Sequence, residues 1–459
     1  MHRQQETENS MLPTALSGVA SALTRLSRFL GVAMAMLTIA AIGSPAKAQQ
    51  APAQGFSGFE PALNIPNITD GSLAVSDLNS DGALDIITAN TIQYSIIFGN
   101  GNGTFQGPQN FPISIMGLFP IDLNLAVADM NGDNIPDLIE GVAFNPVNPN
   151  TILLMLGNSD GTFMQPAVFE GGDFISSVAV ADLNADGAMD IVTTNRFSIP
   201  TSHVNTVSVL LGMGDGTFSP RQTYDVGEQP HFSAISDLNG DGILDVAVAN
   251  SGTSDNSDLT IANISILFGV GDGTFDPQVN ILIPSTISPV REQPRTISIN
   301  DFNSDGVNDL AVGMAFSAGQ SRLFFGLGGG AFAPQSLVYL GTPGNSVIGG
   351  DFDGDGDVDL ASANSLSNDV VIQLNLGNGL FAPSPQFSYA VENMAESIAL
   401  GDFNADGFVD IAVENISSGS VSILINRGNA PLPNSSDLNG DGVVNAADLA
   451  QLLVNWGVQ

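Results

Sequence analysis

The stretch Asp237-Leu238-Asn239-Gly240-Asp241-Gly242-Ile243-Leu244-Asp245 decides the fold of this chain, because its pattern occurs seven times. The copies, here called the aspartate loops, begin at Asp77, Asp129, Asp182, Asp237, Asp301, Asp351 and Asp402. Neighbouring copies are 50 to 64 residues apart. Repeats of this length are typical of propellers and of other arrays in which each unit packs against the next.

Every aspartate loop carries a side-chain oxygen at positions 1, 3, 5 and 9. A tight loop can direct such side chains toward a hard divalent cation, which binds about six to eight oxygens. We therefore predict Ca2+ as the cofactor, with the backbone carbonyl at position 7 as a further ligand and glycine at position 6 allowing the bend. The predicted side-chain ligands are Asp77, Asn79, Asp81, Asp85, Asp129, Asn131, Asp133, Asp137, Asp182, Asn184, Asp186, Asp190, Asp237, Asn239, Asp241, Asp245, Asp301, Asn303, Asp305, Asp309, Asp351, Asp353, Asp355, Asp359, Asp402, Asn404, Asp406 and Asp410.

An alternative interpretation treats Asp-Gly in these loops as a hairpin turn signal alone. That interpretation would leave at least three carboxylates close together in each loop, in a chain with very few basic residues. Like charges at such a distance repel one another unless a cation lies between them. We therefore favour metal binding.

Residues 1–48 have the features of a secretory signal peptide. Arg25 and Arg28 precede an apolar run over residues 29–43, and Ala46-Lys47-Ala48 supplies small residues at the cleavage position. The apolar run is shorter than the ~20 residues that a membrane-spanning helix needs. We predict a secreted or cell-surface protein without a transmembrane segment.

The mature chain is strongly acidic. Without the four basic and two acidic residues of the leader, six arginines, no lysine and 45 acids remain, a net charge of −39. Such a surface repels nucleic acids and anionic lipids, so we expect neither as a partner. The chain also has no cysteine, so its stability must come from burial and bound metal rather than from disulfides.

A glycine-rich turn follows six of the aspartate loops and indicates the strand order. In the third repeat, residues 177–182, 190–194 and 206–211 predict three strands, and the turn 212–218 leads into a fourth. A phosphate-binding loop is disfavoured because no helix follows these glycines. The other turns span 99–105, 157–163, 269–275, 326–332 and, shortened, 377–381. Residues 49–428 thus predict an all-β fold, a seven-bladed β-propeller of four-stranded antiparallel blades.

The paired signatures resemble the FG-GAP or VCBS repeat family over about residues 56–428. The resemblance implies an integrin-alpha-like propeller that binds calcium through positions 1, 3, 5 and 9 of each aspartate loop. The family includes adhesion receptors, lectins and lyases, so the resemblance implies a fold more strongly than it implies a function.

The seventh repeat lacks a fourth strand after residues 420–426. Phe59-Glu60-Pro61, ahead of the first loop, matches the Phe-x-Pro sequences that open other fourth strands, such as Phe218-Ser219-Pro220. We predict that residues 56–66 complete the last blade and so close the ring, which removes open sheet edges. An unpaired N-terminal tail would instead expose Phe59 and Leu63 to water.

The C-terminal segment 437–459 follows a linker, 429–436, that is rich in turn-forming residues. Its side chains have the ligand spacing of an EF-hand loop, and the apolar stripe Leu449, Leu452, Leu453 and Trp456 predicts a helix after it. The segment resembles one dockerin repeat, whereas dockerins bind cohesins through two. It could pack on the propeller or on another protein, and both alternatives stay open. The predicted calcium ligands are Asp437, Asn439, Asp441, Asn445 and Asp448.

No catalytic residue is assigned. The mature chain lacks cysteine, a His-Glu-x-x-His zinc motif and a Gly-x-Ser-x-Gly nucleophile motif. Our first hypothesis is a non-catalytic module that binds a glycan or a surface protein. The alternatives are a polysaccharide lyase or glycoside hydrolase, with an acid pair outside the aspartate loops, and a structural envelope protein.

Strand connectivity places the aspartate loops and glycine-rich turns on one face of the predicted propeller. The opposite face receives the longer connections around 141–151, 195–205, 250–263 and 283–295. Variable loops on a rigid scaffold are the usual location of binding sites. We predict ligand contacts at His231, Arg291 and Arg295, near the central channel.

Overall fold

The computed structural model describes most of the predicted propeller. The described residues are 56–68, 71–90, 93–113, 125–142, 151–199, 202–252, 262–283, 293–315, 317, 319–341, 344–381 and 387–428. The leader and the EF-hand-like tail lie outside them, so neither of these two predictions is tested by the fold. Within the described residues, no helix is long and apolar enough to cross a membrane.

The described strands form seven four-stranded antiparallel sheets, the blades of a β-propeller. Blade 1 contains β2 (Ser72–Ser76), β3 (Asp85–Asn90), β4 (Gln93–Ile97) and β5 (Gln109–Pro112). Blade 2 contains β6 (Leu125–Ala128), β7 (Asp137–Val142), β8 (Thr151–Met155) and β9 (Ala167–Glu170). Blade 3 contains β10 (Ile175–Ala181), β11 (Asp190–Ile199), β12 (Ser202–Leu210) and β13 (Gln222–Asp225). Blade 4 contains β14 (Pro230–Ser236), β15 (Asp245–Asn250), β16 (Asn263–Leu267) and β17 (Val279–Leu282).

The remaining three blades continue the same order. Blade 5 contains β18 (Gln293–Asn300), β19 (Asp309–Ala315), β20 (Gln320–Phe324) and β21 (Ser336–Tyr339). Blade 6 contains β22 (Gly344–Gly350), β23 (Asp359–Asn364), β24 (Asp369–Gln373) and β25 (Phe387–Ala390). Blade 7 contains β26 (Ala395–Gly401), β27 (Asp410–Asn415) and β28 (Ser420–Leu424), with a short 3-10 turn at Ile416–Ser418. The seven-bladed all-β fold predicted from the repeat is confirmed.

The N-terminal strand β1 (Leu63–Pro66) closes the propeller. It pairs antiparallel with β28, from Leu63 opposite Ile423 to Pro66 opposite Ser420. Phe59 forms a bridge to Asn426 and is only 5% exposed, so the predicted closure is confirmed. The expectation that closure buries Leu63 was wrong, since that side chain is 43% exposed on the outermost strand. An outermost strand has one face in solvent even when its backbone is paired.

The hydrophobic core lies between the blades. The innermost strands β2, β6, β10, β14, β18, β22 and β26 each contact the next around the ring, and β26 contacts β2. Middle strands such as β15 are buried along their whole length, whereas the outermost β17 is mostly exposed. Leu138, Val142 and Leu153 of blade 2, for example, pack on Ile87 and Tyr94 of blade 1. Each blade is therefore stabilised by its two neighbours rather than by a core of its own.

Two details of the sequence prediction were wrong. Residues 195–205, expected to form a variable loop, extend the β11–β12 hairpin, with Asn195 opposite Thr206 and Ile199 opposite Ser202. The glycine-rich turn of blade 6 is not shortened, because it begins with the bridge between Asn375 and Phe381 and so has the length of the others. Asparagine at the first position, where glycine was expected, hid its true start.

Candidate functional site

Each aspartate loop is held in shape by its own side chains. In blade 4, Asp237 accepts hydrogen bonds from the backbone N–H of Gly240 (2.7 Å) and Gly242 (2.8 Å). Asn239 Oδ1 accepts one from the N–H of Asp241, and Asp241 Oδ1 accepts one from Ile243, both at 2.8 Å. Gly242 has a φ of 84°, in the left-handed region that glycine tolerates. The side chains at positions 1, 3 and 5 therefore curl inward over the same tight bend.

Position 9 has an additional structural role that the sequence analysis missed. Asp245 is fully buried, and its carboxylate accepts the N–H of Leu238 at Oδ2 (2.9 Å) and the N–H of Gly269 at Oδ1 (2.8 Å). Leu238 lies in the aspartate loop and Gly269 begins the glycine-rich turn. The same pair of bonds, at 2.6 to 2.9 Å, occurs in all seven blades, through Asp85, Asp137, Asp190, Asp245, Asp309, Asp359 and Asp410.

These bonds confirm that the aspartate loops and glycine-rich turns share one face, which we call the aspartate face. Neighbouring blades are joined there as well. The N–H of Gly103 donates to the carbonyl of Phe403 (2.9 Å), and Asn426 Nδ2 donates to the carbonyl of Phe352 (2.8 Å). A methyl group added to Gly273 would lie 2.4 Å from Leu211 of the preceding blade. This packing explains the uniform sequence of the turns.

The loop of blade 6 tests whether this donor set suits a divalent cation. One carboxylate oxygen from each of Asp351, Asp353 and Asp359 lies within 4.8 Å of the others. Burial and the nearby charges of Asp355 and Asp351 raise the pKa of Asp353 to about 6. Burial, opposed by its two backbone hydrogen bonds, raises the pKa of Asp359 to about 8. An all-oxygen set of crowded carboxylates fits a hard cation, which would relieve the repulsion.

The face at the other ends of the innermost strands, here called the variable face, brings three nitrogen-rich side chains together. Arg196 Nη1 lies 2.7 Å from Nδ1 and 2.5 Å from Nε2 of His231. Arg295 Nη1 lies 3.2 Å from His231 Nδ1. Burial and the charges of Arg295 and Arg196 lower the pKa of His231 to about 2, so its imidazole is neutral at physiological pH. We call these three residues the Arg–His–Arg cluster.

The positions of His231 and Arg295 follow from β-bulges. The pairing of β14 with β15 shifts at His231, and the pairing of β18 with β19 shifts at Arg295. A bulge redirects the side chain of the extra residue. Each of these residues lies six positions before the first Asp of its loop, about 20 Å along the strand from that loop. The equivalent bulge residues in blades 3, 6 and 7 are Ser176, Asn345 and Glu396.

Of the three predicted ligand-binding residues, the structure brings two together. Arg291 lies outside the described residues. Arg196, which was not assigned to the site, belongs to the cluster because β11 continues beyond its predicted end. Aligning the repeats would have shown that His231 and Arg295 occupy the same position, six residues before the first Asp of their loops. Such an alignment would not have found Arg196.

Three asparagines at matching positions of the second strands of their blades have a different role from this cluster. Asn195, Asn250 and Asn415 are fully buried. Their side-chain amides donate to Ser208 (2.7 Å), Ser265 (2.9 Å) and Ser422 (2.8 Å), respectively. They therefore join strands within a blade.

Comparison with protein families agrees with this architecture. The family model described as FG-GAP-like repeat matches residues 77–140, 142–193, 237–312, 301–362 and 351–413. The matched segments together cover more than half of the chain and include the aspartate loops of blades 1 to 7.

Two known proteins give further similarity. Integrin alpha-3 of Cricetulus griseus is 30% identical over 151 residues, which make up 30% of this chain and 14% of the integrin. The chain therefore aligns with a small part of that relative. The solved structure of BBS1N in complex with ARL6DN, soaked with lead, superposes with a TM-score of 0.53 at 13% identity, over 82% of this chain and 99% of that one. At such low identity, the second similarity concerns the fold alone.

Proposed function

Because the chain belongs to the FG-GAP-like repeat family, we propose that it is a secreted, calcium-dependent and non-catalytic module that binds a glycan or a surface protein. Propellers of this family provide a rigid scaffold, and function depends on the site that a given chain carries. The partial similarity to an integrin alpha chain supports a role in binding or adhesion.

In this proposal the aspartate face has a stabilising role. Ca2+ bound in each loop would supply the positive charge that offsets the repulsion between the carboxylates of that loop. The chain's own residues hold the loop ready: Asp237 and Asn239 accept backbone N–H groups, and Asp245 joins the loop to the glycine-rich turn. The tail 437–459 belongs to the same proposal as an additional EF-hand-like unit, supported by its ligand spacing.

The observation that carries the proposal is the Arg–His–Arg cluster on the variable face. It draws residues from three successive blades to one place, within 3.2 Å of a single imidazole. Only six arginines occur in residues 49–459, so two of them in one cluster is a marked concentration of positive charge. Polar groups that converge from several elements of a rigid scaffold are typical of binding sites.

An array of glycans and matrix proteins, probed with the mature chain in calcium and again in EDTA, tests this function. We expect saturable binding in calcium without turnover of the bound glycan. The double variant His231→Ala/Arg295→Ala should lose that binding. Matched controls are Arg221→Ala, whose partner is Glu170, and Met213→Ser, a 65% exposed residue of a glycine-rich turn; both should bind normally.

Three outcomes would overturn the proposal. Turnover of a polysaccharide would indicate an enzyme, and no binding to any component would favour a structural envelope protein. Binding that survives the double substitution but is lost in Met213→Ser would place the site on the aspartate face.

A further inference from the structure

The second position of the glycine-rich turns changes character around the aspartate face. It follows the bridged Gly or Asn that opens each turn. Blades 1 and 2 have asparagine there, whereas blades 3 to 6 have an apolar side chain that is 52 to 66% exposed. These apolar residues are Met213, Val270, Leu327 and Leu376.

The sixth position of the same turns changes in the same direction. In blades 1 and 2 it is threonine, whose hydroxyl accepts a hydrogen bond from the amide of Asn100 (2.9 Å) or Asn158 (3.0 Å). In blade 6 it is Leu380, which is 63% exposed and whose carbonyl accepts the N–H of Leu376 (2.6 Å). Two leucines therefore occupy the positions where blades 1 and 2 have a polar pair. We call Met213, Val270, Leu327, Leu376 and Leu380 the apolar arc.

The turn itself does not require apolar side chains at these positions. The N–H of the second residue donates to the carbonyl of the sixth in blades 1 to 6, at 2.6 to 2.9 Å, whether the side chains are polar or apolar. Single exposed apolar side chains are normal on a protein surface. Apolar side chains at one position in four successive blades form a continuous feature, which is typical of an interaction surface.

The described chain ends on the aspartate face, next to the leucines of blade 6. Asn426 has the opening position of the turn in blade 7, and its N–H donates to Asp410 (2.6 Å). Gly428 is the last described residue. When extended, the linker 429–436 spans up to about 26 to 29 Å. Packed sheets are about 10 Å apart, so the segment 437–459 can reach the turns of blades 6 and 5.

The end of that segment matches the apolar arc in chemistry and in length. Residues 449–459 carry no charge, so the acidic aspartate face does not repel them. The helix predicted there lies outside the described residues. From Leu449 to Trp456 such a helix would rise about 10 Å, close to the spacing of neighbouring blades. Its apolar stripe is therefore long enough to contact the turns of two blades.

We propose that the segment 437–459 docks its apolar stripe on the apolar arc of the same molecule, over the turns of blades 5 and 6. A second copy of the chain fits this surface less well, because two aspartate faces would bring their carboxylates together. Docking covers part of the aspartate face and leaves the variable face open to a ligand. The turns keep their own hydrogen bonds with or without the segment, so docking does not hold the blades together.

Trp456 is the only tryptophan of the chain, so its fluorescence reports on docking. In the mature chain with calcium present, we expect it to be protected from quenching by acrylamide. The double variant Leu327→Ser/Leu376→Ser should lose this protection, to the level of the chain unfolded in urea. Each buried leucine that is lost should lower the equilibrium constant for docking about tenfold.

The matched control is Leu366→Ser. Leu366 is 69% exposed and lies between β23 and β24, on the variable face. Its substitution should leave Trp456 protected. Circular dichroism checks that the blades of both variants are folded.

A disulfide then locates the contact, because the chain has no cysteine of its own. The double variant Leu376→Cys/Leu453→Cys should form an intramolecular disulfide under mild oxidation, since a disulfide needs its two Cα atoms within about 7 Å. Leu366→Cys/Leu453→Cys is the control and should stay reduced.

Any of three results would contradict the inference. Quenching of Trp456 in wild type as strong as in the unfolded chain would mean that the segment does not dock. Protection that survives Leu327→Ser/Leu376→Ser would place the segment elsewhere. Protection that is lost on dilution, with dimers in analytical ultracentrifugation, would assign the apolar arc to a second copy of the chain. None of these results changes the outcome of the glycan array, so the proposed function is tested separately.

Discussion

The two faces of the propeller differ in how strongly the repeat constrains them. On the aspartate face, position 9 is aspartate in all seven loops and makes the same two backbone hydrogen bonds. On the variable face, the bulge position carries a different side chain in each of blades 3 to 7. The difference indicates that the aspartate face stabilises the closed ring of blades. On the variable face, the side chains can differ from blade to blade.

A physical constraint accounts for this difference. Each glycine-rich turn contacts the preceding blade, and in four of the six an added methyl group would collide with it, as at Gly330, where it would lie 2.3 Å from Phe268. A bulged residue such as Arg295 stands outside the regular strand pairing and remains partly exposed. Substitution there removes the contact with His231 but leaves the hydrophobic cluster between blades 4 and 5 in place.

The largest expected effect is loss of ring closure. Deleting residues 56–66 from the mature chain removes β1 and Phe59, and leaves β28 as an open sheet edge that can pair with other chains. We expect aggregation and no cooperative melting transition, measured by size-exclusion chromatography and circular dichroism. Deleting 437–459 is the control and should change melting little. Equal damage from the two truncations would disprove the role of closure.

The second effect concerns the aspartate face. EDTA should lower the melting temperature, because a cation that binds only the native state stabilises it. Asp245→Ala should cost about 2 to 4 kcal/mol, since it leaves the N–H groups of Leu238 and Gly269 without their acceptor. Asp241→Ala should destabilise less, and Asn239→Ala least, because it removes no charge.

Chemical denaturation in calcium and in EDTA separates the two roles of these residues. In EDTA the cost of Asp245→Ala should persist, whereas the difference between Asp241→Ala and Asn239→Ala should disappear. A melting temperature that EDTA does not change would refute calcium binding by these loops.

The third effect is a pH dependence of stability that arises from Glu140, on the middle strand β7 of blade 2. Glu140 is fully buried, and neither of its carboxylate oxygens has a hydrogen-bond partner among the described residues. It shares a strand face with Leu138 and Val142, which pack on blade 1. Burial raises the pKa of Glu140 from 4.5 to about 8. Blades 4, 5 and 7 carry valine at the equivalent position.

We expect Glu140→Val to stabilise the chain and to reduce the dependence of its stability on pH. The unfolded carboxyl ionises near pH 4.5 and the folded one near pH 8, so wild type should lose stability as pH rises between these values. The loss relative to Glu140→Val should be on the order of 5 kcal/mol, measured by urea unfolding at a series of pH values. Glu170→Gln, an exposed control, should keep the wild-type slope; parallel curves for wild type and Glu140→Val would contradict the assignment.

The smallest effect on stability belongs to the variable face. His231→Ala/Arg295→Ala should change the melting temperature by no more than about 3 °C, because neither residue contributes to the core between blades. Differential scanning calorimetry in calcium measures this shift. A drop as large as that of Asp245→Ala would mean that the cluster maintains the fold rather than serving as a binding site.

The sequence by itself determined the number of blades, their strand order and the closure by the N-terminal strand. These features repeat along the chain, and each depends on local turn chemistry and on residues close in sequence, as in Asp237 to Asp245. The predicted calcium ligands follow from the same pattern and stay a prediction.

Only the tertiary structure decided which distant residues meet. Asp245 and Gly269 are 24 positions apart, and the spacing varies between blades, so the bond between them could not be derived from the pattern alone. Arg196 and His231 lie 35 positions apart in different blades, and they meet because the hairpin of blade 3 is longer than its sequence predicts. Contacts between blades depend on the twist and packing of whole sheets, which no stretch of sequence contains.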